Sequence, residues 1–137
     1  MTCIFCAIVT GDLPATRIAE TDHALAFMDI NPATRGHVLV IPKQHAADLM
    51  EIDEDDLAHC AVLAKRIGRR ALDQLGADGV NLVNSCGTAA WQTVFHFHIH
   101  VVPRYAGKDG LELPWVPTPG DPVVIAEAAA ALRETLD

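Results

Sequence analysis

The chain has 137 residues, half of them apolar and 20% charged, which predicts one ordinary globular domain over residues 1–137. Eighteen acidic residues against ten basic ones give a net charge of −8, which argues against a nucleic-acid coat or a membrane-surface binder. The first basic residue is Arg17, so no signal peptide is indicated, and no uncharged stretch is long enough to span a bilayer. We therefore expect a cytoplasmic protein whose four cysteines lie in a reducing compartment.

The hydrophobic pattern indicates five strands and two helices. The strands are expected at residues 17–20, 23–29, 37–42, 80–85 and 94–102. A long helix begins at Asp53, since acidic residues fill its first turn and apolar residues recur at helical spacing, and it ends at Gly76. A second helix is expected at residues 123–136, after a segment with several Gly and Pro residues. Short connections between the strands predict an α+β domain with an antiparallel sheet of about five strands.

The stretch 94–103, Val-Phe-His-Phe-His-Ile-His-Val-Val-Pro, carries the most information about function. Side chains alternate faces along a strand, so His96, His98 and His100 are expected to project from one face, about 7 Å apart. The opposite face is expected to be core, through Phe95, Phe97, Ile99 and Val101. Three surface histidines without a role are the plain alternative. Their strict alternation favours a site that uses the near-neutral pKa or the metal affinity of imidazole.

Two chemistries compete for these histidines. Imidazoles at alternate strand positions can ligate zinc in a metallohydrolase, but such a site needs a general base, and no acidic residue lies between Asn84 and Pro103. In the other chemistry, the neutral ring of His98, at the surface of the sheet, attacks a phosphoryl group and forms a covalent phosphohistidine. The neighbouring rings then hydrogen-bond the non-bridging oxygens.

The sequence resembles the histidine triad (HIT) family over roughly a hundred residues. The matching segments stand in the order that small triad proteins show: Cys3-Ile-Phe-Cys6, 26–30, 36–45, Val83-Asn84, 92–94 and the triad His96-Phe-His-Ile-His-Val-Val. The resemblance implies an α+β fold with an antiparallel sheet and a homodimer whose sheets join. It also implies attack by the central histidine on the α-phosphate of a nucleotide, followed by hydrolysis of the nucleotidyl-histidine.

The resemblance implies roles for the residues around the reacting phosphate. His98 would be the nucleophile, and His100 would contact the phosphate oxygens. His96 completes the catalytic triad, while Gln92 and Thr93 would lie beside the leaving group. Thr93 also has good strand propensity, so a structural role is its alternative.

The resemblance also implies a site for the nucleoside, a purine nucleotide such as AMP or an adenylylated small molecule. Asp29 would take the ribose hydroxyls, Phe27 and Ile30 would flank the base, and Asn84 would face the ribose and phosphate. The plain alternatives are an Asx turn at Asp29 and a strand end at Asn84. No organic cofactor is indicated.

The spacing of Cys3 and Cys6 is that of half a tetrahedral zinc site, which needs two more nitrogen or sulfur ligands. His45 and His96 are the candidates, and many microbial triad proteins resemble this arrangement. Such zinc would be structural, because protein atoms fill all four positions, and it would orient His96. The alternative is a pair of reduced thiols at a frayed N-terminus. A thioredoxin-like pair is disfavoured, because only two residues precede Cys3.

The substrate is the least determined feature. The segments Gln92-Thr-Val94 and Pro103-Arg104 resemble the Fhit-like branch, which cleaves dinucleoside polyphosphates. The N-terminal cysteines and the chain length resemble the Hint-like proteins, which favour purine nucleoside phosphoramidates. A nucleotide-binding module with little turnover is a third hypothesis. Trp91 stands where the family commonly has Gly.

The remaining histidines are expected to be structural or solvated: His37 on the polar face of a strand, and His23 and His59 on the surface. A homodimer is expected, because about five strands with two helices should leave a strand edge exposed. The triad strand has no Pro or Lys between Val94 and Val102 to block pairing. The resemblance implies that the long helix 53–75 also meets its symmetry mate.

Overall fold

The computed structural model describes residues 3–133 and contains a five-stranded sheet with helices against both of its faces. The elements in chain order are α1 (Ile4–Thr10), β1 (Arg17–Glu20), β2 (Ala24–Met28), β3 (Val38–Pro42), α2 (Glu54–Gln74), β4 (Gly79–Val83), β5 (Ile99–Arg104) and α3 (Pro122–Leu132). A short 3-10 turn at Thr88–Ala90 precedes β5. The predicted α+β class with an antiparallel five-stranded sheet is confirmed.

The strands lie in the order β1-β2-β3-β5-β4, and every neighbouring pair is antiparallel. The triad strand β5 is therefore interior, with both edges already paired to β3 and β4. The expectation that this strand is open for pairing with a second copy is wrong. The free edges of the sheet belong to β1 and β4.

The middle of the sheet, at β2 and β3, is buried on both faces. One face packs on α2, and the buried side chains there are Ala24, Ala26, Val38, Val40, Cys60, Leu63, Ala64, Ile67, Phe97, Ile99 and Val101. The other face packs on α1 through Phe5, Ile8, Leu25, Phe27, Leu39 and Ile41. The sequences of β2 and β3 are therefore continuous apolar runs, because neither face of these strands is exposed to water.

The long helix follows its prediction closely. The carboxylate of Asp53 caps α2 by accepting a hydrogen bond from the Asp55 amide at 2.8 Å, and three acidic residues occupy the first turn. Gly76, just beyond the helix, has φ of +70°. His23 and His59 are exposed, as expected, and their rings stack at a centroid distance of 4.1 Å.

Two elements differ from their predictions. α1 was missed: its seven residues include β-branched Ile, Val and Thr, which are weak helix formers, so its stability comes from packing and from the Cys3 cap. β5 begins at Ile99 rather than Val94, because the Phe97 amide donates to the Ala46 carbonyl at 2.7 Å instead of to a strand. Phe95, expected in the core, is therefore 46% exposed.

Most of the segment after β5 is exposed to solvent. All of α3 is exposed except half-buried Ala129, and residues 134–136 of the predicted helix lie outside the described part of the chain. Several large apolar side chains of this segment face solvent: Leu113, Trp115, Val116, Val123, Val124 and Ile125. Within residues 3–133, no helix combines the length and apolar character needed to cross a membrane.

Gly36 provides a test of the packing between α2 and β3. It has φ of +88°, and a Cβ added there would lie 2.4 Å from Leu75 Cδ1, whereas Gly76 has φ of +70° and open space around it. We expect Gly76→Ala to lower the free energy of unfolding by about 1 kcal/mol through backbone strain. Gly36→Ala adds a steric clash and should cost roughly 2–4 kcal/mol. Urea unfolding of both variants checks this, and equal losses would contradict it.

Candidate active site

A cleft of about 500 Å³ opens between α1, the end of β2 and the segment before β5. Its walls are mostly apolar, and its polar lining includes the imidazoles of His98 and His100, the carboxylate of Asp29 and the hydroxyl of Thr93. A concave apolar site with a few converging polar groups is typical of a small-molecule pocket.

The three triad histidines do not share one face, because residues 94–98 are not a strand. His96 is fully buried and points away from the cleft, toward Cys3, Cys6 and His45. His98 and His100 line the cleft with their ring centroids 5.0 Å apart. The irregular segment thus separates one histidine from the other two.

His98 is held in one tautomer by its own backbone. Its Nδ1 lies 2.8 Å from the carbonyl oxygen of His96, which can only accept, so the neutral form of the ring has its proton on Nδ1 and its lone pair on Nε2. The ring is 5% exposed rather than at the surface as expected, and the edge-to-face contact with Phe5 has a centroid distance of 5.3 Å. A neutral, oriented imidazole nitrogen is a suitable nucleophile.

A chain of hydrogen bonds fixes His100 through His37. The Ala33 amide donates to His37 Nδ1 at 2.9 Å, so the proton of a neutral His37 ring is on Nε2. His37 Nε2 donates to His100 Nδ1 at 2.9 Å. Since Nδ1 of His100 is the acceptor, the proton of the neutral His100 ring is on Nε2. His100 therefore offers the cleft a hydrogen-bond donor.

Burial keeps these two rings neutral. It lowers the pKa of His37, although the Asp29 carboxylate 3.5 Å away opposes the shift. Burial, with smaller contributions from His98 and His37, lowers the pKa of His100 to about 4. His37 is 6% exposed, so its expected place on a polar strand face is wrong. The signal in the sequence was its position directly after the turn at Arg35-Gly36 and directly before the apolar strand β3.

The side chains expected beside the leaving group take different positions. Thr93 is exposed and lines the cleft. Gln92 is 3% exposed and is committed to the backbone: Oε1 accepts from the Gly87 amide, and Nε2 donates to the carbonyls of Ala47 and Val94. Gln92 thus holds the loop in shape rather than facing a ligand.

The residues expected around the nucleoside mostly line the cleft. Phe27 is buried in its wall, and Ile30 is 90% exposed at its mouth. Asp29 makes the Asx turn, since Oδ1 accepts from the Asn31 amide at 2.7 Å, while Oδ2 stays directed toward His37. Asn84 differs from its expected role, because its amide donates to the main-chain carbonyl of His98 at 2.9 Å.

Four side chains on three separate segments bring two sulfur and two nitrogen atoms together. Cys3 Sγ, Cys6 Sγ, His45 Nδ1 and His96 Nδ1 all lie within 4.8 Å of one another. Cys6 Sγ is 3.3 Å from His45 Nδ1, Cys3 Sγ is 3.3 Å from His96 Nδ1, and the two nitrogens are 3.2 Å apart. Ligand atoms of a tetrahedral zinc ion are separated by roughly 3.3–3.8 Å, so the donor set fits that metal.

Two further features of this cluster suit a cation. His96 Nε2 lies 2.9 Å from the Pro42 carbonyl and must donate to it, so Nδ1 presents its lone pair to the cluster. Burial lowers the pKa of His96, which favours the neutral ligand form. Burial and the neighbouring Cys3 raise the pKa of the Cys6 thiol, a penalty that a bound cation reverses.

Part of the cleft was missed in the sequence. Ile4, Phe5 and Ile8 of α1 form one wall, and Leu13 to Ala15 continue it. The apolar residues at positions 5 and 8 have helical spacing, but the helix is too short for that spacing to stand out. α1 and its N-cap residue Cys3 therefore carry both the cysteines of the cluster and a wall of the cleft.

The depressed pKa of His100 predicts a loss of stability in acid. Between its ordinary value of 6.5 and its folded value of about 4, the unfolded chain binds more protons, so the free energy of unfolding falls as the pH is lowered. His100→Asn should remove up to about 1 kcal/mol per pH unit from this slope. Urea unfolding across this range checks it, with His59→Asn as the exposed control. Equal slopes in wild type and His100→Asn would contradict it.

Comparison with known proteins agrees with this geometry. The HIT domain family model matches residues 10–107. Protein hit of Bacillus subtilis is 40% identical, over 82% of this chain and 78% of its own length. Adenosine 5'-monophosphoramidase hnt1 of Schizosaccharomyces pombe is 39% identical over 89% of each chain. The crystal structure of a zinc-bound histidine triad family protein from Mycobacterium smegmatis superposes with a TM-score of 0.78 at 43% identity, covering 96% of this chain and 98% of that one. The chain belongs to the HIT domain family.

Proposed function

We propose that the chain is a nucleotide-binding hydrolase that cleaves purine nucleoside phosphoramidates through a covalent nucleotidyl-histidine at His98. The observation that carries this proposal is the hydrogen bond from His98 Nδ1 to the His96 carbonyl, which leaves Nε2 as a free nucleophile in the cleft. The similarity to the fission yeast monophosphoramidase supports this choice of substrate.

The cleft offers complementary groups to both parts of such a substrate. Its apolar walls, including Phe27 and Ile30, suit the flat faces of a purine. Asp29, whose carboxylate lines the cleft, would accept hydrogen bonds from the ribose hydroxyls. The phosphate would then lie against His98 and His100, at the polar end of the cleft.

The reaction proceeds in two displacements. His98 Nε2 attacks the α-phosphorus and the new P–N bond forms, while the bond to the leaving nitrogen breaks and that nitrogen takes up a proton from solvent and departs as the amine. The positive charge that develops on the ring is stabilised by the His96 carbonyl at Nδ1. The N–H group at His100 Nε2 donates a hydrogen bond to a non-bridging oxygen, whose negative charge grows in the transition state. Water then attacks the same phosphorus, releasing AMP and restoring His98.

Dinucleoside polyphosphates are the less favoured substrates. The resemblance to the Fhit-like branch includes Gln92, yet the Gln92 side chain makes three hydrogen bonds to main-chain groups and does not line the cleft. Phosphoramidates need no such contact with a second nucleotide. A comparison of the two substrate classes at equal concentration tests this preference.

His98→Asn should abolish formation of the covalent intermediate. When wild-type protein is mixed with adenosine 5'-phosphoramidate and quenched, intact-mass measurement should show the addition of one AMP, and His98→Asn should show none while still binding AMP. His100→Ala should slow turnover by ~10²–10³-fold, since it removes one donor to the phosphate. His59→Asn, at an exposed histidine, is the control. An AMP adduct on the His98→Asn protein would refute the mechanism.

We propose that Cys3, Cys6, His45 and His96 hold one structural zinc ion. The ligand distances and the zinc-bound relative support this assignment. Four protein ligands leave no position for water, so the metal would supply stability rather than a nucleophile. It would fix His96, whose carbonyl in turn orients His98.

Elemental analysis of protein purified without chelators should find one zinc per chain. Cys3→Ser should lower the free energy of unfolding by about 4 kcal/mol or more, because loss of a structural metal is among the largest single-residue effects. The turnover number at saturating substrate should change much less. Cys86→Ser, which removes a thiol outside the cluster, should leave both quantities unchanged. Protein without zinc would end this proposal.

We also propose a homodimer formed through the free edge of β4. The outward residues of this strand include Leu82, 52% exposed, and Val83, 41% exposed, and Val62 on α2 is 59% exposed. An unprotected apolar edge is ready to pair with a second copy. The exposed apolar side chains of the segment after β5, among them Trp115, would also be covered by a partner.

Light scattering at micromolar concentration should give about twice the chain mass of 14.7 kDa. Leu82→Lys should shift the protein toward monomer, because it places charge on the pairing strand. Ile18→Lys, at the opposite edge of the sheet, is the matched control and should leave the mass unchanged. A monomeric wild-type protein would refute the dimer.

A further inference from the structure

α1 joins the sulfur ligands to the cleft. Cys3 caps the helix and Cys6 lies in its first turn, while Phe5 and Ile8, on the same seven-residue helix, are buried against the sheet and line the cleft. Phe5 contacts both His96 and His98 edge-on, at centroid distances of 5.9 and 5.3 Å. A change at the two sulfurs therefore acts directly on a wall of the proposed nucleotide pocket.

The two cysteines are arranged for bonding to each other. The Cys6 amide donates to Cys3 Sγ at 3.4 Å, which folds the first turn of α1 over the Cys3 side chain. The two sulfur atoms lie within 4.8 Å of each other, and both residues are half-buried rather than enclosed. A Cys-x-x-Cys pair in which the first residue begins a helix can form a disulfide without a large backbone movement.

We propose that Cys3 and Cys6 are a peroxide-oxidisable pair, whose conversion to a disulfide releases the metal and loosens the wall of the nucleotide pocket. This inference rests on the zinc site proposed above. Two thiolates lose two electrons and form one S–S bond, while the O–O bond of hydrogen peroxide breaks and yields two hydroxide ions. The metal leaves as Zn²⁺ without changing its oxidation state.

Release follows from the ligand set. A disulfide removes both charged ligands and leaves only two neutral imidazoles, one of which, His45, is exposed. His96 would remain fully buried, with His45 Nδ1, 3.2 Å away, as the partner left for its Nδ1 lone pair. Thiolate ligation is what makes such a site tight.

The loosening follows from the length of α1. A helix of seven residues does not hold its shape alone, so it depends on its anchors. These anchors are the metal cluster, the packing of Phe5 and Ile8, and the hydrogen bonds from the Arg17 guanidinium to the carbonyls of Ile8 and Val9. Loss of the metal removes one of the two anchors of the N-terminal turn and leaves that turn held by the packing of Phe5 alone.

The chemistry is tested by titrating the zinc-loaded protein with hydrogen peroxide in the presence of a chromogenic zinc chelator. We expect one zinc released per chain, a mass loss of two hydrogens, and a disulfide that peptide mapping places between Cys3 and Cys6. Dithiothreitol followed by zinc should restore the starting protein. Cys86→Ser, whose thiol lies outside the cluster, should behave as wild type.

The coupling to the pocket is tested on the same samples. Oxidation should speed hydrogen exchange of the amides in residues 4–10 and leave that of α2 unchanged. AMP binding, measured by calorimetry, should weaken by about tenfold or more, the scale of effect seen when contacts in an apolar pocket are lost. The reduced, zinc-restored protein should regain its affinity.

The outcomes separate this inference from those on which it rests. Zinc that stays bound while peroxide is consumed, or a disulfide that maps to Cys86, overturns the inference and leaves the zinc site standing. Zinc release with unchanged AMP affinity overturns the coupling. Protein that contains no zinc before treatment overturns both this inference and the zinc site, whereas the AMP adduct at His98 tests the proposed reaction independently.

Discussion

The hydrogen bond from the Phe97 amide to the Ala46 carbonyl determines much of the rest of the structure. It takes the place of a strand contact just before β5, so the chain bends through residues 94–98 instead of running straight. Gln92 supports this bend with its three side-chain hydrogen bonds. Neighbouring histidines that would share one face of a regular strand therefore point to two different places: His96 to the cluster with Cys3, Cys6 and His45, and His98 to the cleft.

Main-chain groups then determine which nitrogen of each histidine ring carries the proton. A carbonyl at Pro42 fixes the proton of His96, the carbonyl of His96 fixes that of His98, and the amide of Ala33 acts through His37 on His100. Each choice of tautomer follows from a backbone group that can only accept or only donate. The site is thus assembled by the fold itself, with few side chains dedicated to orientation.

The fold and the outline of the site were predictable, and the failures have physical causes. The long helix was predicted because capping and periodicity agree over twenty-one residues, as the observed Glu54–Gln74 helix shows. Phe95 was misplaced because alternation predicts faces only where a strand is paired. His37 was misplaced because its burial depends on contacts across the fold, above all with His100, which is 63 residues away in sequence. α1 was missed because its stability comes from tertiary packing, which local propensity does not report.

The burial of β2 and β3 on both faces affects how these two strands find their register. In a sheet with one wet face, a slip by one residue exposes apolar groups and is penalised, but β2 and β3 have no wet face. Their two faces differ in volume instead: Ala24 and Ala26 face α2, while Leu25 and Phe27 face α1. A slipped β2 would force Leu and Phe side chains beneath the long helix and leave holes under the short one. The register of β2 is therefore set by side-chain size, whereas in a sheet with one wet face it is set by the alternation of polar and apolar residues. Ala26→Leu would accordingly disturb the strand alignment without introducing any polar group.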